Sequence, residues 1–470
     1  MPRVLVVVFD GLRRDLVSPA TTPALARFLD RGTDFPLSRT VFPSETRVAV
    51  ASLVTGCPPG DHGIVANAFV SSAAGPIQTA RIDDLERLAA VRGGRLLGRP
   101  SLGERLAEAG KRIAVVSTAS PGATYLLNHR AAALGHVTIS AHGAAVTRPV
   151  EALAAAVDAA GPVPAAAIPN TARLDWAVEV LLRHVVPGLR PDLAVLWLSD
   201  PDSTIHYRGI GSPDGMAALA GADAAFGRVL DWVESEPPAR RPVVIALSDH
   251  GHITTRSTVD LPALVGHAFP QALHQPGYVG GLTFPGGGEA VRAAAARWLL
   301  GQPWCGQVLT RGGDGSIGLV PGSFDRRAIG CAHPDAPDLY YVLATDDRHD
   351  ANGIDGGCLF HGALPVDGST HGGLHRHELA NLLAIGGPGV RQGYASPLPA
   401  GTVDVAPTIL GLLGIAASDM TGRRLDEAFG DASAAGQGSE EIVSGDRRVR
   451  RLRLGARAYL DEAISPVTAV

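Results

Sequence analysis

The strongest constraint on the fold is a series of short, continuously apolar segments that alternate with helix-like segments. Val4–Phe9 is apolar throughout, which is the pattern of a parallel strand covered on both faces. Further strands are predicted at Arg112–Ser117, Asp192–Leu198 and Pro242–Leu247. Strands that alternate with helices predict an α/β fold with a mostly parallel central sheet flanked by helices.

Cap and stop signals bound the helices predicted between these strands. Thr21 or Thr22 caps a helix that Gly32 ends. A Ser101–Glu104 capping box opens a second helix, which Gly110 closes. The other predicted elements are helices Leu174–Val186, Pro213–Glu234 and Val403–Leu413 and strands Tyr340–Ala344 and Leu379–Ile385. The first helix is predicted to span Thr22–Arg31.

The apolar pattern changes after His252. Residues 253–369 are rich in Gly, Pro and Asp, with irregular apolar runs, so we predict an inserted cap subdomain that selects the substrate. Residues 1–252 and 370–470 then form the metal-binding catalytic core. Part of residues 119–170 is expected to add to the cap.

Two polar segments lie near the C-terminus. Gly430–Glu441 consists of small and polar residues and is interpreted as a mobile surface loop. Arg447–Arg453 is basic and is interpreted as a solvated face.

Charge and cysteine content exclude several classes of protein. With 41 basic and 46 acidic residues the formal net charge is −5, so the chain lacks the basic footprint of a nucleic-acid-binding protein. No apolar stretch approaches the roughly 20 residues of a membrane span, and Met1–Phe9 lacks a cleavage signal. The 4 cysteines form no C-x-x-C pair and give no disulfide framework, so we expect a cytoplasmic protein.

Polar clusters follow three of the predicted strands. Asp10 ends the first, the segment Asp200–His206 follows the strand at Leu198, and Ser248–His252 follows the strand at Leu247. Ligands of open α/β sheets bind at the carboxyl ends of the strands, so these clusters are expected on one edge. Carboxylates with imidazoles suit zinc or manganese.

Each cluster also has a purely structural interpretation. Asp10 alone would most often cap a helix, and Asp202 with His206 could form one helical turn or a surface pair. Asp249-His250-Gly251 could be an ordinary turn. The occurrence of all three in this order is much less expected by chance than any one of them.

Seven segments together resemble one protein family. They are residues 6–11 (Val-Val-Val-Phe-Asp-Gly), 41–46 (Val-Phe-Pro-Ser-Glu-Thr), 54–56 (Val-Thr-Gly), 62–67 (His-Gly-Ile-Val-Ala-Asn), 200–206, 249–251 (Asp-His-Gly) and 370–373 (Thr-His-Gly-Gly). The set is similar to the alkaline phosphatase superfamily, within it to the type I phosphodiesterase/nucleotide pyrophosphatase family, which includes relatives of phosphonoacetate hydrolase. The resemblance implies an alkaline-phosphatase-like α/β core with a cap.

The resemblance also implies a role for individual residues. Asp202, His206 and His371 would hold one zinc ion. Asp10, Asp249, His250 and the Thr46 oxygen would hold a second, with manganese as an alternative metal. Asn67 would donate a hydrogen bond to a phosphoryl oxygen. Thr46 would be the nucleophile, because it has the family's spacing to the Asn, which Ser44 in the same turn does not have.

Metal ions explain why this chemistry can use a threonine. A hydroxyl is a poor nucleophile at neutral pH, and a bound metal lowers the pKa of a coordinated oxygen by several units. A position at a helix start would also place phosphate near backbone N–H groups. Thr46 could equally be a plain helix cap, and both interpretations can hold together.

The chain departs from the family at several positions. Nucleotide pyrophosphatases have Phe-Pro-Asn after the nucleophile, whereas Arg47-Val48-Ala49 stands here. Arg47 could bind a second anionic group of the substrate, or pair with Glu45 at the surface. Phosphonoacetate hydrolases use cap lysines, and Lys111 is this chain's only lysine. Sulfatases are excluded because the C/S-x-P-x-R motif is absent.

Other histidines leave alternatives open. His375 competes with His371 for the same metal, and His252 and His377 lie close to the ligand motifs. His62 is interpreted as structural. His349 and His361, in the predicted cap, are interpreted as surface residues with a smaller chance of touching substrate.

These observations lead to one predicted function and two alternatives. The prediction is a two-metal hydrolase that cleaves a phosphodiester or pyrophosphate bond of a small soluble substrate through a phospho-threonine intermediate. The alternatives are phosphonate or phosphomonoester hydrolysis on the same metal site, and a non-catalytic metal-binding homologue. The expected partner is a small phosphate ester, anhydride or phosphonate, with no nucleic-acid polymer and no membrane; the oligomeric state is left open.

Overall fold

An eight-stranded sheet lies at the centre of the protein, in a computed structural model that describes residues 3–430 and 434–466. Its strands in chain order are β1 (Val4–Phe9), β2 (Thr33–Asp34), β3 (Ile113–Ser117), β4 (Val137–Ser140), β5 (Leu193–Leu198), β6 (Val243–Leu247), β7 (Leu383–Gly386) and β8 (Tyr394–Ala395). The spatial order is β8-β2-β7-β6-β1-β5-β3-β4. Only β7 runs antiparallel to its neighbours, which confirms the predicted mostly parallel sheet.

Alternate residues of β1 pack into two different hydrophobic cores, one on each face of the sheet. Val4, Val6 and Val8 join one core, and Leu5, Val7 and Phe9 join the other. This burial on both faces explains why the strand is apolar at every position. Helices cover both faces, as predicted from the alternating pattern.

The helices fall into two groups according to the core they bury. The first core contains residues of Thr46–Thr55, Ile82–Val91, Leu102–Glu108, Pro121–Leu127, Glu289–Leu300 and Val405–Leu412. The second contains residues of Pro23–Arg31, Ala152–Ala160, Thr171–Val180 and Pro213–Ser235. Further helices are Pro59–His62, Asp202–Arg208, Leu261–Ala268 and Arg376–Leu379. The Ser101 capping box is present, with both of its reciprocal hydrogen bonds.

Residues 253–370 add two smaller sheets beside the central one. One contains Ile253–Thr258, Thr345–His349, Asp355–Phe360 and Ser369–Thr370, and the other contains Leu273–Gln275, Val279–Thr283, Cys305–Thr310, Phe324–Asp325 and Leu339–Leu343. Their buried residues, such as Leu282 and Tyr340, are continuous with the first core. Two further pairs of short strands are Ser38–Arg39 with Ala400–Gly401 and Ala68–Ser71 with Gly75–Gln78.

Four sequence predictions about local structure need correction. The segment Leu379–Ile385 is not one strand, because Arg376–Leu379 is a short helix and the strand begins at Leu383. The helix predicted over Leu174–Val186 ends as an α-helix at Val180 and continues as a π-helix, Leu181–Leu189. Both parts contain buried apolar residues, such as Val180 and Leu181, so the apolar pattern does not show where the hydrogen bonding changes.

The other two corrections concern the C-terminal region, which forms a three-stranded sheet. Gly430–Glu441 is not a loop throughout, because a strand runs over Gln437–Ser444; residues 431–433 lie outside the described part. Arg447–Arg453 is a solvated face only in part, because it lies in the central strand, Arg447–Leu454, of this sheet, where Arg448 is exposed but Arg447 and Val449 are buried. Arg447 is buried and donates to the carbonyl of Gly306 over 2.7 Å. The third strand is Arg457–Ile464.

Across residues 3–430 and 434–466, none of the helices combines the length and apolarity needed to cross a lipid bilayer.

Candidate metal centre and active site

The carboxyl ends of β1, β5 and β6 bring the three polar clusters of the sequence together. Asp10 directly follows β1, Asp202 begins the helix after β5, and Asp249 follows β6. The strands are adjacent and parallel, with β1 between the other two, so their ends meet at one edge of the sheet. All three carboxylates are buried or nearly so.

Asp202 lies at the centre of a first group of side chains, with three imidazoles around one carboxylate oxygen. Its Oδ1 lies 3.2 Å from Nε2 of His206, 2.8 Å from Nε2 of His252 and 3.6 Å from Nε2 of His371. The helix Asp202–Arg208 places the first pair one turn apart, as the four-residue spacing predicts. His371 comes from the loop after the strand Ser369–Thr370.

The outer nitrogens of two of these rings fix their protonation. Nδ1 of His206 lies 2.8 Å from the carbonyl oxygen of Ser369, and Nδ1 of His371 lies 2.9 Å from that of Ser44. Because a carbonyl can only accept, each Nδ1 carries a proton and each ring turns its Nε2 towards Asp202. Burial lowers the pKa of His371 well below its ordinary value, so its Nε2 is unprotonated, whereas the charge of Asp202 outweighs burial and raises the pKa of His206. A lone pair of His371 that faces a carboxylate oxygen is repelled unless a cation lies between them, so this arrangement suits a metal.

Asp10, Asp249, His250 and Thr46 form a second group. Nε2 of His250 lies 3.1 Å from Oγ1 of Thr46, 3.2 Å from Oδ2 of Asp249 and 3.8 Å from Oδ1 of Asp10. Its Nδ1 faces the carbonyl oxygen of Gly251 at 3.1 Å and donates to it, which leaves Nε2 turned towards Thr46 and the two carboxylates. The rings of His250 and His371 stack at 3.7 Å between centroids, which places the two groups side by side.

Buried oxygen atoms without partners mark the second group as incomplete without a cation. Among the described residues, Oδ1 of Asp10 and Oδ2 of Asp249 have no hydrogen-bond donor. The other oxygen of Asp10 accepts from Trp197 Nε1 over 2.8 Å, and the other oxygen of Asp249 accepts from the Gly11 N–H over 3.0 Å. Burial raises the pKa of Asp10 well above its usual value, and the charges of Asp249 and Asp202 raise it further. A divalent cation would compensate both effects, so the residues present fit the metals that the family pattern implies.

Gly11 has no space for a side chain at this edge. Its φ is +66°, and a Cβ there would lie 2.5 Å from Nε2 of His252 and 2.9 Å from Cβ of Asp202. The glycine therefore allows β1 and the imidazole cluster to approach each other.

Thr46 is the first residue of the helix Thr46–Thr55, and Ser44 has a different role. The Ser44 hydroxyl donates to the Gly373 carbonyl over 2.9 Å and accepts from the Gly372 N–H over 3.1 Å. Those bonds tie it to the loop that carries His371. The Thr46 hydroxyl instead faces His250, and the N-terminal turn of the helix offers its backbone N–H groups on the same side.

A cavity of about 330 Å³ opens onto Thr46 and is lined by residues of both groups, including Asp202, His206 and His371. Asn67 and Arg47 also line it. Oδ1 of Asn67 is buried without a partner among the described residues, so the amide is free to meet a ligand. The arrangement offers a hydroxyl, an amide and a guanidinium to one small molecule.

The guanidinium of Arg47 is held by neutral hydroxyl groups. Nε donates to Oγ1 of Thr79 over 3.0 Å and Nη1 to Oγ of Ser120 over 3.3 Å. In the described part of the chain no carboxylate forms an ion pair with it, so the surface pair with Glu45 is not formed. Its charge therefore remains available to an anion in the cavity.

The comparison with known protein families agrees with this geometry. The sequence profile of the type I phosphodiesterase/nucleotide pyrophosphatase family matches residues 4–287, which is more than half of the chain. The chain belongs to that family. The matched range includes Asp10, Thr46, Asn67, Asp202 and Asp249. Family membership makes this protein a hydrolase of the phosphodiesterase and pyrophosphatase class.

Solved structures of similar fold belong to the same family. Murine ectonucleotide pyrophosphatase/phosphodiesterase 5, as an inactive variant in complex with AMP, matches with a TM-score of 0.62 and 17% identity over 89% of this chain and 96% of that chain. A second structure of the same murine protein gives 0.61 and 18% over 88% and 96%. The shared architecture is the alkaline-phosphatase-like fold, as predicted.

The structure gives different contacts to the histidines whose roles the sequence did not decide. His371 lies beside Asp202, whereas His375 contacts Oδ1 of Asp347 at 3.1 Å and caps the helix Arg376–Leu379. His377 lies 2.9 Å from Asp355, in a third group of acidic and imidazole side chains that also contains Asp15. The guanidinium groups of Arg13 and Arg376 already pair with that group's carboxylates, so it has little need of a cation.

The remaining histidines have local roles. His62 is fully buried, accepts the Ile64 N–H at Nδ1 over 3.1 Å and donates from Nε2 to the Ser52 hydroxyl over 2.9 Å, so it is structural. His349 is exposed. His361 lines the cavity and its Nδ1 donates to the Val259 carbonyl, so of His349 and His361 it is the one that can touch a ligand.

Three residues of this edge were not assigned from the sequence. His252 contacts Asp202, and the sequence signal that could have assigned it to the site was the run Asp249-His250-Gly251-His252. Glu45 lines the cavity and accepts the backbone N–H of Asn67, and burial raises its pKa to about 7. Glu378 accepts from Gly373 N–H at 2.7 Å and from the Tyr278 hydroxyl at 2.9 Å, which fixes the loop that carries His371. No sequence pattern pointed to these two carboxylates.

Proposed function

We propose that this protein cleaves a phosphodiester or pyrophosphate bond of a small substrate, with two metal ions bound and Thr46 as nucleophile. The observation that carries the proposal is the position of the Thr46 hydroxyl, 3.1 Å from Nε2 of His250, where two groups of carboxylates and imidazoles meet the cavity. A threonine that only capped a helix would not need carboxylates, imidazoles and a cavity around its hydroxyl.

The two groups of residues would each hold one metal. Asp202, His206 and His371 supply the first set of ligand atoms, and Asp10, Asp249, His250 and the Thr46 oxygen supply the second. Zinc ions, or manganese, bound there would supply the positive charge that stabilises a threonine alkoxide and the charge developing on the phosphoryl oxygens. Three carboxylates and one alkoxide carry four negative charges, which match two divalent cations.

The chain's own residues bind and orient the phosphoryl group. The Asn67 amide would donate to a phosphoryl oxygen, and the preorganised donor would strengthen as negative charge grows. Arg47 would bind either a phosphoryl oxygen or a second anionic group of the substrate. The carbonyls of Ser369, Ser44 and Gly251 keep the proton of each imidazole on Nδ1.

The reaction would proceed in two displacements. Oγ1 of Thr46 loses its proton and attacks phosphorus, a new Oγ1–P bond forms, and the P–O bond to the leaving group breaks; the leaving group takes up a proton. Water then loses a proton and forms a new bond to the phosphorus of the phospho-threonine, the Oγ1–P bond breaks, the phosphate product leaves, and Oγ1 of Thr46 regains a proton.

A second candidate function is hydrolysis of a phosphonate or phosphomonoester on the same site. Arg47 favours it, because the cavity offers a guanidinium where nucleotide pyrophosphatases have an aromatic ring. A cavity of about 330 Å³ also suits a small substrate.

The test combines metal content with turnover of two substrates. Wild type, Thr46→Ala and Thr46→Ser are assayed with bis-(p-nitrophenyl) phosphate and p-nitrophenyl phosphate, and elemental analysis reports the metal bound to each. We expect about two zinc per chain, faster diester than monoester hydrolysis, loss of turnover in Thr46→Ala and partial activity in Thr46→Ser. Acid-quenched wild type should carry a p-nitrophenylphosphoryl group from the diester, or a phosphoryl group from the monoester, on the peptide that contains Thr46.

Other outcomes would change the proposal. Two metals with faster monoester or phosphonate hydrolysis would keep the mechanism and change the substrate. Two metals without activity that depends on Thr46 would support a non-catalytic homologue. A protein without bound metal would show that the ligand assignment is wrong.

A further inference from the structure

A second concavity lies at the opposite edge of the central sheet from the metal centre. Its volume is about 750 Å³, and four arginines line it: Arg3, Arg190, Arg240 and Arg241. Val243 and Leu412 are among the other lining residues, and no acidic side chain of the described chain is. Arg3 precedes β1 and Val243 begins β6, so the concavity lies at the amino ends of these strands.

The positive charge of this concavity is not compensated by the protein. None of the four guanidinium groups forms an ion pair with a carboxylate of residues 3–430 or 434–466, although the protein has a net charge of −5. Many other arginines are paired, such as Arg14 with Asp34 at 2.5 Å. Four like charges at one site repel each other, so an anion bound among them would be stabilised.

Three of the four side chains are oriented by backbone carbonyls. Arg3 Nη2 donates to the Leu412 carbonyl over 3.2 Å, and Arg190 Nε donates to that of Pro187 over 3.2 Å. Arg241 donates to two carbonyls, those of Glu236 at 3.0 Å and Glu234 at 2.6 Å. These neutral acceptors limit the motion of the guanidinium groups and leave their charge in place.

The backbone at Arg190 has an unusual conformation. Its φ is 48°, in the left-handed region, and only Asp367 shares this feature among the non-glycine residues described. Arg190 follows the π-helix Leu181–Leu189, a form that is rare and enriched at functional sites. Arg190 ends this helix as a left-handed cap, with its backbone N–H donating to the Val185 carbonyl over 3.2 Å, and its side chain lines the concavity.

We propose that this concavity is a second anion-binding site, which takes a small molecule with two or more phosphate groups. Several guanidinium groups around one concavity match several phosphates, since each planar fork can bind two oxygens of one group. A concave site suits a small ligand better than an extended charged surface. The site is distinct from the metal centre, because the six residues of β1 separate the two by about 20 Å.

The test measures binding of methylenediphosphonate, a non-hydrolysable diphosphate analogue, by calorimetry on the full-length, metal-replete protein. The double variant Arg190→Ala/Arg240→Ala removes two of the lining charges. The matched control Arg95→Ala/Arg297→Ala removes two exposed arginines elsewhere, with the same change of net charge. Arg190→Lys/Arg240→Lys keeps the charge but not the guanidinium fork.

We expect wild type and the control to bind one more analogue per chain than the Arg190→Ala/Arg240→Ala variant, or to bind it roughly tenfold or more tightly. The lysine variant should fall between them. Binding by Arg190→Ala/Arg240→Ala with the wild-type stoichiometry and affinity would overturn the proposal. Equal weakening in the control would also overturn it, because general surface charge would then account for the binding.

Discussion

The backbone N–H of Asn67 donates a hydrogen bond to the side-chain carboxylate of Glu45, the residue directly before Thr46. The bond joins the start of the helix Thr46–Thr55 to the segment that carries the proposed phosphoryl donor. The nucleophile and the amide are therefore held in one relative position by a residue that performs no chemistry itself.

This relationship predicts a positioning role for Glu45. Glu45→Ala should lower kcat/KM by about tenfold, because Asn67 loses its anchor, whereas Glu45→Gln keeps an acceptor and should retain most of the activity. Combined with Asn67→Ala, the Glu45→Ala change should add little further loss. Full additivity of the two changes in kcat/KM would contradict the role.

Asn67→Ala should lower kcat by about a hundredfold to a thousandfold with little change in KM. The reason is that a donor to the phosphoryl oxygen contributes most when negative charge has developed in the transition state. Asn128→Ala, which changes a buried asparagine outside the cavity, is the control and should affect thermal stability instead. An increase in KM with unchanged kcat would show that Asn67 only binds the ground state.

His371→Ala should lose bound metal, and His375→Ala should keep it. His371 turns an unprotonated Nε2 towards Asp202, whereas Nε2 of His375 contacts Asp347. Elemental analysis after dialysis compares the two variants with wild type. Loss of metal from His375→Ala alone would reverse the assignment.

Arg47 should set a preference for substrates with a second anionic group. Two esters with the same leaving group, p-nitrophenyl 2-carboxyethyl phosphate and p-nitrophenyl propyl phosphate, differ only in a terminal carboxylate. Wild type should prefer the carboxylate by about tenfold in kcat/KM, Arg47→Gln should lose this preference, and Arg47→Lys should keep part of it. A wild type that does not distinguish the two esters would exclude this role.

His62 should make the protein less stable as the pH falls. Burial lowers its pKa to about 3 from the ordinary 6.5, so between these values the unfolded chain binds a proton that the folded protein does not. Its contribution is complete above pH 6.5 and falls by about 2 kcal/mol near pH 5. The difference in free energy of unfolding between wild type and His62→Gln, from urea titrations, should narrow accordingly; a constant difference would contradict the shift.

The central sheet and its edge of acidic residues could be predicted from local pattern. A strand buried on both faces must be apolar at every position, as in Val4–Phe9, and parallel strands place their carboxyl ends on one edge. The sequence alone could therefore place Asp10, Asp202 and Asp249 on the same edge of the sheet. The C-terminal sheet was missed because Gln437–Ser444 is mostly exposed and polar and Arg447–Leu454 is half-buried and rich in arginine, so that both resemble solvated segments.

The contacts within the site depend on loops that are distant in sequence. His371 and His375 stand four residues apart, and the sequence favoured His371 only through its match to the family motif, with His375 as a rival. In the structure the Ser44 carbonyl meets Nδ1 of His371 and the Nε2 of that ring faces Asp202, whereas His375 contacts Asp347. Glu45 likewise gained its role only when Asn67 packed against it.

The sequence by itself determined the fold class, the family and the set of residue types available for metal and phosphate chemistry. These follow from apolar periodicity and from short motifs, each of which is local in the chain. The tertiary structure alone decided which imidazole faces which carboxylate, that Arg47 has no carboxylate partner among residues 3–430 and 434–466, and that four arginines surround a concavity at the far edge of the sheet. Such relationships depend on how separate segments approach one another, and no local pattern of residues records that approach.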